Sequence, residues 1–236
     1  MRRRLTASFS FAVFVLATTA GAAHAQDPTA ETVLDNYVKA IGGREAFDAV
    51  STREIKARLE VPAAGIVMKV SQWAARPDRI VTTIESDVVG RVERGFDGKV
   101  GWAISTTGGP SLVEGIQLDD MARDSRFDGL VAWRDWVASA EMQGRADVDG
   151  KPAWKVLVNP KRGSAETLFF DCASWLIVKM EMTVRSAMGE VPAVSYPGDY
   201  RQVGALLMPH RVRQLAAGQE IVTIVESVTP NAEIPA

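Results

Sequence analysis

The stretch Trp175-Leu-Ile-Val-Lys-Met-Glu-Met-Thr-Val-Arg185 decides how this chain is read. Leu176, Val178, Met180, Met182 and Val184 fall on one parity, and Lys179, Glu181, Thr183 and Arg185 on the other. Side chains alternate across a pleated strand, so this segment predicts a sheet with one apolar and one wetted face. An antiparallel sheet with one apolar face must cover it with helices, a second sheet or an apolar ligand.

The same pattern extends outward on both sides. Residues 137–147, 153–160, 165–171, 191–203, 207–215 and 220–228 read as strands, with Asp149-Gly150, Arg162-Gly163, Met188-Gly189 and Ala217-Gly218 at hairpin tips. Upstream, Ile55, Ala57, Leu59 and Val61 alternate with Glu54, Lys56, Arg58 and Glu60, and Ile66, Met68 and Val70 resume the apolar face. Residues 79–86, 89–96 and 99–105 continue the meander, with Asp97-Gly98 as a tight turn. The segment 106–111, carrying Gly108-Gly109-Pro110, reads as irregular loop.

Two helical segments interrupt the strands. Asp27-Pro28 offers a cap and a first-turn proline, and Val33, Leu34, Tyr37, Val38 and Ile41 then recur at helical spacing up to Gly42-Gly43. A second helical region runs over about residues 117–126 and continues towards Trp133 or Trp136. The expectation is a mainly β fold with helices (α+β): about eleven antiparallel strands curled into a half-barrel, with the helices covering its concave apolar face.

Residues 1–25 read as a cleaved signal peptide. Arg2, Arg3 and Arg4 precede an apolar run, and Ala23-His24-Ala25 gives the small-x-small pattern of a processing site. Residues 26–236 then read as a single secreted domain, with no cysteine at the processing point to carry a lipid anchor. Removing those three arginines from 27 Lys and Arg leaves 24 against 29 Asp and Glu, a net charge of −5. That balance argues against nucleic acid as a partner. Cys172 is the sole cysteine, so no intramolecular disulfide forms; it reads as a small, partly buried residue in a turn.

Catalytic and metal-binding patterns are sparse. His210 is the one histidine after the signal, and without a nucleophile elbow or a second histidine it reads as a strand-end residue rather than a general base. One His and one Cys far apart do not make a zinc site, and Asp119-Asp120 sits in a helix rather than a calcium loop. No metal, cofactor or catalytic set is therefore expected. The candidate apolar cavity is lined by Ile55, Leu59, Met68, Val70, Trp102, Trp154, Val178, Met180 and Met182. Methionines and aromatics in such a lining can adapt to acyl chains, but they equally serve as a packed core.

Four strings then carry a resemblance: Tyr37-Val-Lys-Ala-Ile-Gly-Gly-Arg-Glu-Ala-Phe-Asp-Ala-Val50, Phe96-Asp-Gly-Lys-Val-Gly-Trp102, Asp171-Cys-Ala-Ser-Trp-Leu-Ile-Val178 and Asp199-Tyr-Arg-Gln-Val-Gly-Ala-Leu-Leu-Met-Pro-His-Arg211. In this order they resemble the outer-membrane lipoprotein-sorting-protein-like family, with its LolA/LolB-like fold. The resemblance implies an eleven-stranded half-barrel closed by helices that move aside on loading. It further implies a monomeric, non-enzymatic carrier of a lipid or acylated lipoprotein that meets membrane-associated transfer partners. A non-catalytic interaction or lipoprotein-sensing module with a filled core is the alternative reading.

Overall fold

The computed structural model describes residues 27–88, 90–186 and 189–234. The signal-peptide reading of residues 1–25 lies outside the described residues. The chain opens with helices α1 (Ala30–Ala40) and α2 (Gly43–Asp48). Six strands follow: β1 (Thr52–Val61), β2 (Ile66–Ala75), β3 (Arg79–Ser86), β4 (Gly90–Phe96), β5 (Gly101–Ser105) and β6 (Gly109–Val113). Helix α3 (Gly115–Asp124), a 3₁₀ turn and the short α4 (Trp133–Trp136) interrupt the sheet. It then resumes with β7 (Val137–Val148), β8 (Lys151–Pro160), β9 (Glu166–Asp171), β10 (Ile177–Ser186), β11 (Gly189–Val203), β12 (Leu206–Ala216) and β13 (Gln219–Pro230).

All thirteen strands form one antiparallel sheet in the order β6-β5-β4-β3-β2-β1-β13-β12-β11-β10-β9-β8-β7. The sheet is not closed, and β6 and β7 are its edges. β1 pairs with β13, so the two halves of the meander join through the first and last strands. Two expectations change here. The count is thirteen rather than about eleven, and the segment expected to be irregular holds β6. Ser105 Oγ accepts a hydrogen bond from Gly108 N at 2.8 Å, and Gly109 takes a φ of +67°, so the chain reverses there. Residues 109–113 run back along β5, and Pro110 is tolerated because β6 is an edge strand.

Helix α1 is capped by Thr29, whose Oγ1 accepts from Thr32 N at 3.2 Å, while Asp27 pairs with Arg145 at 3.2 Å instead of capping. Val33 and Leu34 bury completely against Trp154, Val156, Leu168, Phe170 and Ile177 on β8, β9 and β10. Tyr37 packs edge-on to Phe170 at 5.6 Å, and burial pushes its hydroxyl up to about 12. A second cluster joins Ile41, Phe47 and Val50 to Ala74, Phe127, Val131 and Leu206. These contacts fix which face is concave: the one shared by Ala74, Phe170 and Leu206. Gly42 (φ +118°) ends α1 where a Cβ would collide with the Ala205 carbonyl, and Ile41 O accepts from Leu207 N at 3.0 Å.

Candidate functional site: the space beneath helix α3

The register places Met68, Val70, Gln72 and Ala74 on one face of β2 and carries that face through Ile80, Thr82 and Ile84 of β3 to Arg94 and Phe96 of β4. It continues at Gly101 of β5, where α3 presses down. A Cβ at Gly101 would stand 2.8 Å from Met121 Sδ and 2.9 Å from Leu118 Cδ1. Glycine at this position is therefore what lets α3 approach the sheet.

The other flank of α3 reaches strands far away in the sheet. Asp120 accepts from Ser164 N at 2.7 Å and from Ser164 Oγ at 3.0 Å, and pairs with Arg185 of β10 at 2.9 Å. Arg123 pairs with Glu166 of β9 at 2.8 Å and donates to the Ser164 carbonyl at 2.6 Å. Arg185 also meets Ser164 Oγ, and its Nε lies 2.8 Å from Glu190. Asp120, Arg123, Glu166 and Arg185 are each at most 15 % exposed, so this network is screened far less than a surface pair. Burial pushes the Glu166 carboxyl up to about 7, with Arg123 pulling it the other way.

These contacts give the sheet its shape. β5 and β10 are eight strand spacings apart in the sheet order, about 38 Å if it were flat. A ten-residue helix is only about 15 Å long. One such helix touches both strands only because the sheet is curled, with α3 bolting its two flanks across the opening. Beneath α3 lies a cavity of about 460 Å³, walled by Gln72, Ile80, Thr82, Ile84 and Arg94 on one side, Gln214 and Thr223 on the floor, and Met121 and Ser125 above. Its size falls in the range of small-molecule sites, about 300–1,000 Å³.

The remaining helices are anchored separately. Arg76 Nε donates to the Val50 carbonyl at 2.7 Å and Nη2 to the Phe47 carbonyl at 2.5 Å, while Nη1 lies 2.7 and 2.8 Å from the two Asp128 oxygens. One side chain thus ties β2 to the end of α2 and to the segment after α3. The guanidinium groups of Arg53 and Arg76 both lie over the Phe127 ring, 5.1 and 5.0 Å from its centre. Asp35 joins α1 to α4 through Arg134, at 2.7 Å to each nitrogen, and through Trp133 at 3.1 Å.

The nine residues expected to line an apolar cavity are not gathered in one place. Ile55, Leu59, Met68 and Val70 lie half-buried on the concave floor of β1 and β2, and Met182 on that of β10. Trp154 and Met180 pack into the cluster under α1. Trp102 and Val178 are on the other face. Trp102 pairs with Gly95 and lies over it, a Cβ there being 2.5 Å from its Cζ2, because glycine leaves that outer surface open. Val178 is turned over by a bulge between Ile177 and Lys179, and packs with Val148, Ala153 and Phe169 on the convex side. None of the nine lines the cavity under α3. Of the residues that bolt α3 down, only Asp120 stood out in the sequence, as a helical acid; the convergence of residues 120, 123, 164, 166 and 185 has no local signal.

His210 is buried, its Nδ1 3.0 Å from the Met208 carbonyl, and it does not line this cavity. Cys172 is half-buried and burial pushes its thiol up. Among the described residues no cluster of three or more His, Cys, Asp or Glu is placed to hold a metal ion. No helix among them is long and apolar enough to cross a membrane.

No protein-family model matches the sequence, and no curated protein does. Solved structures do resemble the fold. A LolA superfamily protein from Nitrosomonas europaea aligns over 89 % of this chain and 96 % of its own, with a TM-score of 0.58 and 14 % identity. A DUF1329 family protein from Desulfovibrio piger aligns over 87 % and 95 %, with a TM-score of 0.60 and 10 % identity. A putative outer membrane lipoprotein-sorting protein domain from Vibrio parahaemolyticus aligns over 87 % and 95 %, with a TM-score of 0.56 and 9 % identity. At these identities the likeness concerns the backbone alone, and the fold of this chain is LolA-like.

Proposed function

We propose that this chain is a periplasmic binding or carrier protein that holds an acylated lipoprotein or a lipid between α3 and the concave face of the half-barrel. The observation that carries the reading is the cavity itself: about 460 Å³ of partly open space, roofed by one helix that is bolted by ionic contacts rather than by a deep apolar seam. An acyl chain in water costs about 0.8 kcal/mol per methylene, so a carrier must cover it and still release it. A lid held by a few polar contacts meets both demands, because those contacts can be exchanged for water when it lifts.

The lining is mixed. Ile80, Ile84 and Met121 offer apolar contact, Gln72, Thr82 and Gln214 offer hydrogen bonds, and Arg94 and Asp124 add one charge of each sign, which suits a ligand bearing polar groups near its chains. With α3 lifted, the half-buried floor at Leu59, Met68, Val70 and Met182 extends the surface available to a chain. Membrane-associated donors and acceptors are the partners this role requires. No catalytic step is assigned. The signal-like residues 1–25 support export.

Native mass spectrometry of protein purified without detergent, followed by organic extraction, tests this reading. A bound lipid or lipopeptide that is lost from a folded Thr82→Trp variant, in which indole fills the cavity, is the expected result. A clean apo mass with no gain on adding lipid would overturn it and favour the filled-core interaction module.

A further inference from the structure

A second and larger cleft, about 540 Å³, lies on the outer flank of α3. Leu118, Ala122, Arg123 and Arg126 of α3 and its following turn face it. Lys99 comes from the tip of the β4–β5 hairpin, and Lys161 and Arg162 from the β8–β9 turn. The chain as a whole carries more acid than base, so five cations against Asp78, Asp119 and Asp135 form a local reversal of sign.

Three of the five are engaged within the protein. Arg123 is held by Glu166, Arg162 by Asp119 at 2.5 Å, and Lys161 Nζ donates to the Asp135 carbonyl at 2.7 Å. The other two are not matched. Arg126 reaches Asp135 only at 3.9 Å, and its Nε is buried with no hydrogen-bond partner. Among the described residues Lys99 makes no ion pair. The Arg126 Nε is itself closed off, but the side chain as a whole is one-third exposed, so the rest of its guanidinium is open to an anion oxygen. The walls between these cations are apolar, from Phe96, Leu118 and Trp136.

We infer that this cleft binds a phosphate group, carried on an amphiphile or free, against Arg126 and Lys99. The amphiphile case rests on the carrier reading. Helix α3 separates the cleft from the inner cavity, with residues 118, 122 and 126 on one side and 121 and 125 on the other. A headgroup in the cleft leaves its chains to pass around α3 to the sheet.

Titration calorimetry of the full mature protein with dihexanoylphosphatidic acid, dihexanoylglycerol and inorganic phosphate tests this. The phosphatidic acid should bind at least about tenfold more tightly than the diglyceride, the scale of one charge-assisted contact. That advantage should vanish in Lys99→Gln/Arg126→Gln, and Lys99→Gln alone, a change of an exposed side chain that leaves folding intact, should remove part of it. Inorganic phosphate binding as tightly as the phosphatidic acid, and lost in the same variants, would support the site and assign it to the free ion. Equal binding of both lipids with no effect of either variant would overturn the phosphate site while leaving the carrier reading standing. Phosphate binding with neither lipid bound would do the reverse.

Discussion

Asp119 and Asp120 are neighbours of the same charge on the same helix, and the structure gives them unequal weight. Asp120 accepts two hydrogen bonds from Ser164 and the Arg185 guanidinium while only 15 % exposed. Asp119 meets Arg162, which is 79 % exposed. In Asp120→Ala the Ser164 N–H loses its acceptor, and Arg185 and Arg123 lose an anion in a poorly hydrated place. An orphaned buried donor costs about 1–3 kcal/mol and a broken buried pair about 3–5 kcal/mol. Because Glu190 still serves Arg185 and Glu166 still serves Arg123, we take about 3 kcal/mol for the whole change. Loss of the Asp119 pair is worth less than about 1 kcal/mol.

The cost falls first on α3, which otherwise holds to the sheet mainly through Leu118 and Met121 over Gly101. Amide hydrogen exchange should therefore speed up by about a hundredfold across α3 in Asp120→Ala, and by less than about fivefold in Asp119→Ala. The amides of β8 and β9 under α1 should stay protected in both variants. If the two substitutions loosen α3 equally, or if neither does, the idea that Asp120 bolts the flanks together is refuted.

Two further outcomes follow from the same region. Glu166 has a folded value of about 7 against an ordinary 4.5, so its contribution to stability is complete below about pH 4.5 and lost as pH rises through 7. The gap corresponds to at most about 3 kcal/mol. Melting temperature should therefore fall between pH 5 and pH 8, and Glu166→Gln should flatten that slope; an unchanged slope would remove Glu166 as its source. Gly101→Val should drive α3 off the sheet, since even a Cβ would stand under 3 Å from Met121 and Leu118. Proteolysis near residues 113–126 should then accelerate while β7–β9 remain resistant, and an unaltered cleavage pattern would show that α3 accommodates the bulk.

What the chain alone determined is local. Alternation in residues 53–61 and 175–185, the Asp97-Gly98 and Asp149-Gly150 turns and the stripe Val33-Leu34-Tyr37-Val38-Ile41 are short-range signals, because strand and helix periods and turn preferences act within a few residues. They were enough for an antiparallel half-barrel with a helix against its apolar face. The β6 hairpin was hidden because glycines and a proline read as loop, although an edge strand tolerates both. Which face a residue joins was decided more widely: one bulge after Ile177 sends Val178 outward, and Gly95 draws Trp102 over the outer surface.

The candidate site is a tertiary product almost entirely. Asp120, Ser164, Glu166 and Arg185 come from a helix, a turn and two strands, and they meet only because thirteen strands curl until β5 and β10 lie within reach of one ten-residue helix. Curvature accumulates from small twists over every strand pair, so no window of sequence contains it. Sequence patterning determined that an apolar face existed and that helices were at hand to cover it; the summed twist of the sheet decided where the cavity formed and which charges hold α3 over it.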